Sequence, residues 1–171
     1  MTEKAALLAQ RLIRNVEQVE MKHDRRPPLY DSVGARLGTG TGTGTAADKL
    51  GASFDCVAPG MRSCPYHFHY AQEEMFIILE GSGTLRVAGE MLPIVSGDVI
   101  FIPPGPEYPH QIINTSDAPL KYLSVSTREQ PEVVMYPDSG KYQAMARGND
   151  GEQVRYLQRP SASLDYWQDE P

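Results

Sequence analysis

From Ala52 onward the chain is written in short apolar and β-branched runs, broken by turn residues about every ten positions. The runs fall at residues 53–57, 66–70, 74–79, 83–88, 90–94, 99–102, 110–114 and 120–126, and each reads as a strand. The breaks carry the residues that end strands: Ala58-Pro59-Gly60, Glu80-Gly81-Ser82, Ser96-Gly97-Asp98, the stretch from Pro103 to Pro109, and that from Ser116 to Pro119. Runs this short cannot each be a helix, and their even spacing leaves no room for crossover helices. The expectation is an all-β fold, a double-sheet jelly-roll barrel.

Residues 74–79 add a second constraint. Glu74, Phe76 and Ile78 share one face of the strand, and Met75, Ile77 and Leu79 share the other. A strand with one wet face would alternate apolar and polar residues, whereas this one is apolar on both. One face is expected to line the barrel. The other needs a cover: a second sheet, the tail or a second copy of the chain. A homodimer is therefore expected.

The flanks are read as one domain with the barrel. Residues 1–48 form an N-terminal arm, with a short helix from residue 3 to about 14 that places Leu8, Leu12, Val16 and Val19 on one face. The arm ends in the alternating Gly-Thr run at 38–45, read as a flexible loop because alternating glycines lose much entropy on ordering. Residues 49–130 form the barrel. Residues 131–171 form a C-terminal extension that wraps it through Val133, Val134, Met135 and Tyr136.

A chain of 171 residues can bury one real core. Its net charge of −6 argues against nucleic acid or an anionic membrane as partner, since both select a basic surface. No apolar stretch approaches a transmembrane span. Cys56 and Cys64 make no disulfide framework and read as reduced thiols of a cytoplasmic protein. His23, set among Lys22, Asp24, Arg25 and Arg26, reads as a solvated surface histidine.

The other three of the four histidines carry the chemistry. His67 and His69 are one residue apart in a strand, so both imidazoles point to one face. Two residues of strand span roughly 7 Å, close enough for both rings to meet one ion. Glu74 heads the next apolar run, and His110 lies in a later one. Three imidazoles and a carboxylate suit a first-row divalent metal, with Zn, Mn, Fe and Ni all open. Glu73 competes with Glu74 but belongs to the opposite strand face. Near these ligands, Arg62, Tyr66, Phe76 and Tyr108 are the expected contacts for a small-molecule ligand.

This arrangement resembles the cupin superfamily over about residues 50–127. The first cupin motif is matched by Gly60, His67, His69, Glu74 and Gly81, and the second by Gly97, Pro103-Pro104-Gly105, His110 and Asn114. The sequence departs from the family pattern by one extra residue between Gly60 and His67, and by two in the loop before His110. Both changes fall in loops, so the loop from Pro104 to Pro109 is expected to form part of a pocket rim. Tyr136-Pro137-Asp138 resembles the tail of a group of bacterial single-domain cupins, some of them labelled sugar-phosphate isomerases. The resemblance implies a jelly-roll barrel, one divalent transition metal held by His67, His69, Glu74 and His110, and a homodimer. Its functional implications are a sugar-phosphate isomerase-like enzyme, an iron-dependent dioxygenase, or a barrel that binds a small molecule without catalysis.

Overall fold

The computed structural model describes residues 1–38, 45–148, 152–161 and 163–170. Most of the Gly-Thr run lies outside the described residues. The elements in chain order are helix α1 (Glu3–Leu12) and strands β1 (Lys22–Arg26), β2 (Tyr30–Arg36), β3 (Leu50–Val57), β4 (Phe68–His69), β5 (Glu74–Glu80), β6 (Ser82–Val87), β7 (Glu90–Val95), β8 (Val99–Ile102), β9 (His110–Ile113), β10 (Leu120–Thr127), β11 (Glu132–Tyr136), β12 (Lys141–Arg147) and β13 (Gln153–Gln158). All the pairing between these strands is antiparallel, as a jelly roll requires. Among the described residues no helix is long and apolar enough to cross a membrane.

One sheet runs β1-β2-β3-β10-β5-β8, a second β13-β12-β11-β4, and a third β7-β6-β9. Each of the eight runs expected from the sequence forms a strand, although only Phe68–His69 of the 66–70 run is regular. Five strands were not foreseen as such. The hairpin β1-β2 lies in the segment read as an arm, and β2 pairs with β3 inside the barrel sheet. β11, β12 and β13 turn the tail into a sheet of its own, joined to β4.

The core is built by parity. Phe76 and Ile78 of β5 cluster with Val57, Ile102, Leu120 and Tyr122 of the same sheet and with Leu85, Ile94 and Ile112 of the three-stranded sheet. Ile78 and Leu120 are fully buried, and each such side chain contributes roughly 1.5–3 kcal/mol. The turn between β5 and β6 depends on Gly81, whose φ of +88° is left-handed and whose missing Cβ would lie 2.5 Å from the Pro119 carbonyl oxygen. Asn114 closes the barrel end: its Nδ2 donates to the carbonyls of Val57 and Ala118, both at 2.8 Å.

Candidate metal centre

β4 is only two residues long, yet it sets the site. Phe68 is buried at 8% exposure against Tyr70 on one face of the strand, which puts its neighbours His67 and His69 on the other face, toward the barrel cavity. β4 is fixed on one side by β11, with His69 opposite Val134 and Phe68 opposite Met135. On the other side a bridge pairs His67 with His110 through His67 N–H to the His110 carbonyl (3.1 Å) and His110 N–H to the His67 carbonyl (2.8 Å). Glu74 is the first residue of β5, opposite Ile102 and Ser126, and points inward. Glu73, on the other face, is exposed, and its N–H donates to Thr127 Oγ1. Strand parity therefore selects Glu74 for the cluster.

Three imidazoles converge on one carboxylate oxygen. Glu74 Oε2 lies 2.7 Å from His110 Nε2, 3.5 Å from His69 Nε2 and 3.8 Å from His67 Nε2. The ligand atoms of His67, His69 and Glu74 all lie within 4.8 Å of one another. His110 reaches them through its hydrogen bond to Glu74. Burial alone would push the Glu74 carboxyl up, but the His110 hydrogen bond and the surrounding His69, His110 and His67 outweigh it and hold its pKa at about 2. The group is held as a carboxylate, the form that can bind a cation.

The far side of each ring is equally ordered. His67 Nδ1 faces the Pro65 carbonyl at 2.8 Å, and His110 Nδ1 faces the Tyr108 carbonyl at 3.1 Å. A proton on Nδ1 satisfies both carbonyls; with an ion in place the Nε2 lone pairs would be free to bind it, and without one His110 Nε2–H donates to Glu74 Oε2. His69 Nδ1 is buried without a hydrogen bond and lies 3.6 Å from Glu132 Oε2, too far to bond but aligned with it. Glu132 is fully buried and accepts the backbone N–H groups of Tyr70 (3.0 Å), Ala71 (3.4 Å) and Gln72 (2.7 Å). Burial raises its pKa, but His69 and the N–H groups of Gln72 and Tyr70 outweigh that, and the net shift is downward. Rings fixed at Nδ1 by carbonyls or a carboxylate are the usual outer support of metal-binding histidines. The residues thus fit a first-row divalent ion: three nitrogen donors and one oxygen, with an orphaned Nδ1 that a shift of His69 toward Glu132 would satisfy.

The cluster opens into a cavity of about 400 Å³ between the first two sheets. Besides His67, His69 and Glu74, its wall includes Gln72, Gln130 and Gln143, Ser53, Ser124 and Ser126, Arg36, Arg128 and Arg155, and Tyr136. The Tyr136 ring stacks near His67 (centroids 6.1 Å apart), and burial pushes its phenol pKa up. Gln130 Oε1 is buried with no partner, an acceptor available to a ligand.

The expected ligand contacts lie elsewhere. Tyr66 is buried beneath the Arg86 guanidinium, 3.7 Å above its ring, and its hydroxyl accepts from Gly89 N–H. Phe76 packs in the core behind His110, with ring centroids 5.7 Å apart. Arg62 is held in bridges to Tyr30 and Ile113, at the far end of β9 from His110. Tyr108 is exposed and serves the site through its carbonyl alone. None of these four lines the cavity. Nor does the loop from Pro104 to Pro109, because Gly105 N–H is tied to the His69 carbonyl at 2.8 Å behind the site. The free thiol of Cys64 is pushed up to about 12, chiefly by burial, and is chemically inert. His23 sits on the surface, half exposed, with Nε2 2.7 Å from Asp31 Oδ1.

Glu132, Tyr136 and the three arginines were missed. Glu132 had a signal: it shares a strand face with Val134 and Tyr136, and an acid on an otherwise apolar face needs a partner. The arginines had none, since they come from three strands or strand ends whose alignment only the fold provides.

An antiparallel barrel holding histidines and a glutamate on its inner wall defines the class, and comparison with known proteins agrees. Residues 53–126 match the family model described as the cupin domain. An uncharacterized protein of Methanocaldococcus jannaschii is 43% identical over 60 residues, which is 35% of this chain and 46% of that protein, so the match spans about half of the relative's length. A solved structure from Acidithiobacillus ferrooxidans, provisionally named a sugar phosphate isomerase, is 26% identical with a TM-score of 0.67 over 82% of this chain and 86% of its own. A second, from Silicibacter pomeroyi and named a sugar phosphate isomerase from a cupin superfamily, is 24% identical with a TM-score of 0.69 over 89% and 96%. At that identity the second likeness speaks for the fold alone.

Proposed function

We propose that the chain is a metal-binding cupin acting on a small polar metabolite, and that its chemistry is that of a sugar-phosphate isomerase. The observation that carries this reading is the wall around the histidines, which is rich in hydroxyls, amides and guanidinium groups. Val134 and Met145 are the larger apolar side chains on it. Such a wall matches a polyhydroxylated molecule, whose every oxygen needs a partner once dehydrated. An iron-dependent dioxygenase calls instead for an apolar pocket for O₂. The name of the Acidithiobacillus ferrooxidans protein supports the same choice.

A divalent ion held by His67, His69, Glu74 and His110 would supply Lewis acidity to a carbonyl and hydroxyl of the substrate. The protein's own groups do the rest. Ser53, Ser124, Ser126 and Gln130 hold hydroxyls, and the Tyr136 phenol donates to a substrate oxygen. The barrel walls exclude bulk water.

The same reading includes a second copy of the chain. Outward residues of the large sheet form two apolar rows, Phe101-Met75-Val125-Ala52 and Val99-Ile77-Leu123-Phe54-Ala35. Phe101 is 64% exposed at the edge strand. A contiguous apolar face of this kind marks an interaction surface, and self-pairing across a two-fold axis covers both copies at once.

The test begins with elemental analysis of purified protein, followed by thermal stabilisation with free sugars, sugar phosphates, keto acids and catechols. Zinc or manganese, with stabilisation by sugar phosphates and their interconversion by NMR, is the expected result. Iron with catechol turnover, or metal-replete protein that binds a sugar phosphate and leaves it unchanged, would overturn the isomerase reading.

A further inference from the structure

The inner face of the large sheet changes character along its width. One row reads Ile102-Glu74-Ser126-Gly51 and the next Ile100-Phe76-Ser124-Ser53-Arg36. Each passes from an apolar residue, through Glu74 or its neighbour Phe76, to hydroxyls; the second ends on the positive charge of Arg36. Arg128, two residues beyond Ser126, lies across Gly51: a Cβ there would sit 3.1 Å from Arg128 Cδ and 3.6 Å from Arg128 Nη1. Glycine at that inward position is what leaves room for the arginine. From the facing sheet, Arg155 enters the same cavity, fixed by Nε and Nη2 donating to Gln143 Oε1 at 2.9 and 2.6 Å.

These charges are not balanced by the protein. The cavity wall carries three arginines against one carboxylate, Glu74, in a chain whose net charge is −6. Among the described residues, no arginine of the three has a salt-bridge partner within 4.0 Å. Asp55, near enough to Arg36 to feel its charge, is bonded to Ser53 instead. Guanidinium groups gathered on a concave wall without counter-ions repel one another unless an anion joins them.

We propose that Arg36, Arg128 and Arg155 form a subsite for the phosphate of a phosphate monoester, whose polyol end reaches the histidine cluster. This rests on the metal-site reading above and adds the substrate's anionic end. A dianionic phosphate offers three terminal oxygens to three guanidinium forks; a carboxylate offers two and half the charge. Arg36 stands three strands from the strand of Glu74, about 14 Å between backbones. The inward reach of both side chains reduces that to the length of a molecule of a few carbons. Ser53 and Ser124 lie along the path, where its hydroxyls would fall.

The experiment measures calorimetric binding of inorganic phosphate to metal-stripped protein, and of fructose 6-phosphate, fructose and gluconate to metal-replete protein. Expected are binding of both phosphates, weakening with ionic strength, and much weaker binding of fructose and gluconate. Arg36→Gln and Arg128→Gln each weaken phosphate about tenfold, the loss of one charged partner, while metal content stays at the wild-type level. Gly51→Val acts like Arg128→Gln by displacing the guanidinium. Arg36 is exposed, so its variant keeps the test open if Gly51→Val fails to fold. Unchanged phosphate affinity in Arg36→Gln and Arg128→Gln overturns the subsite, as does failure of either phosphate to bind. Gluconate binding as tightly as fructose 6-phosphate overturns the phosphate assignment. Because inorganic phosphate is measured without metal, failure of the arginines and failure of the metal reading give different results.

Discussion

Replacing Glu132 by glutamine tests how far the metal site depends on the tail. The substitution keeps shape and removes charge. Glu132 Oε2 accepts from Gln72 N–H at 2.7 Å and faces His69 Nδ1, while Oε1 accepts from Tyr70 and Ala71 N–H at 3.0 and 3.4 Å. In the variant the amide oxygen best stays at the Oε2 position, because an NH₂ there would oppose two donors. The NH₂ then meets Tyr70 and Ala71. Tyr70 N–H keeps the Val133 carbonyl at 3.0 Å, so Ala71 loses its acceptor. One buried unsatisfied donor, with charge-assisted bonds reduced to neutral ones, costs about 1–3 kcal/mol. For a chain of this size that lowers the melting temperature by about 2–4 °C per kcal/mol. His69 meanwhile loses the anion that strengthens it as a ligand, and such outer partners are worth about 10–100-fold in metal affinity. Glu132→Ala should be worse in both respects, since it strands Gln72 N–H as well. The assay is urea unfolding of metal-free protein together with chelator competition on the loaded form. If Glu132→Gln unfolds at the wild-type midpoint and binds metal with wild-type affinity, the carboxylate neither supports the loop at 70–72 nor orients His69, and the argument fails.

Three further outcomes are expected. The double substitution His67→Ala, His69→Ala should abolish metal retention by elemental analysis while the barrel stays folded by circular dichroism; full metal content would remove these residues as ligands. Phe101→Glu places a charge on the most exposed large side chain of the outer apolar rows, so light scattering at micromolar concentration should find a dimer for wild type and a monomer for the variant; a monomeric wild type would refute the pairing. The Glu74 carboxyl titrates near 2 in the folded chain against an ordinary 4.5. The folded state therefore binds fewer protons, and the stability this adds is present above pH 4.5 and is lost as pH falls toward 2. Urea midpoints of metal-free protein should drop across that window, and Glu74→Gln should flatten the drop.

What could be read from the sequence follows from how each feature is encoded. The barrel strands 74–79 and 99–102 were legible because their residues carry the burial pattern locally. Parity said that only one of Glu73 and Glu74 could face the ion, and the spacing from Glu74 to Gly81 in the motif the chain resembles favoured Glu74. β1 was not: Lys22-His23-Asp24-Arg25-Arg26 is polar throughout and fully exposed, and is a strand only because β2 pairs with it. β13 is also exposed throughout and is a strand by pairing with β12. Arg62 and Tyr66 were expected at the ligand because they are near the histidines in sequence. In the fold the chain at Tyr66 faces outward against Arg86, and sequence distance proved a poor guide to the cavity wall.

The segment matching the cupin domain, residues 53–126, contains His67, His69, Glu74 and His110. It contains none of Arg36, Gly51, Arg128, Glu132, Tyr136 or Arg155. The histidine–glutamate cluster thus lies within the segment that matches the cupin model. The residues that flank His69, stack near His67 and charge the far wall lie before and after that segment. β11 shows the economy of this: Glu132 faces His69, Val134 packs opposite it, and Tyr136 stacks near His67, all on one face of five residues. A shared barrel can hold an ion for many reactions, so selectivity has to be written in what surrounds it. In this chain that surround is the hairpin β1-β2 and the tail sheet. A transplant that exchanges residues 53–126 for those of another metal-binding cupin should therefore change the ion before it changes the preference for phosphate.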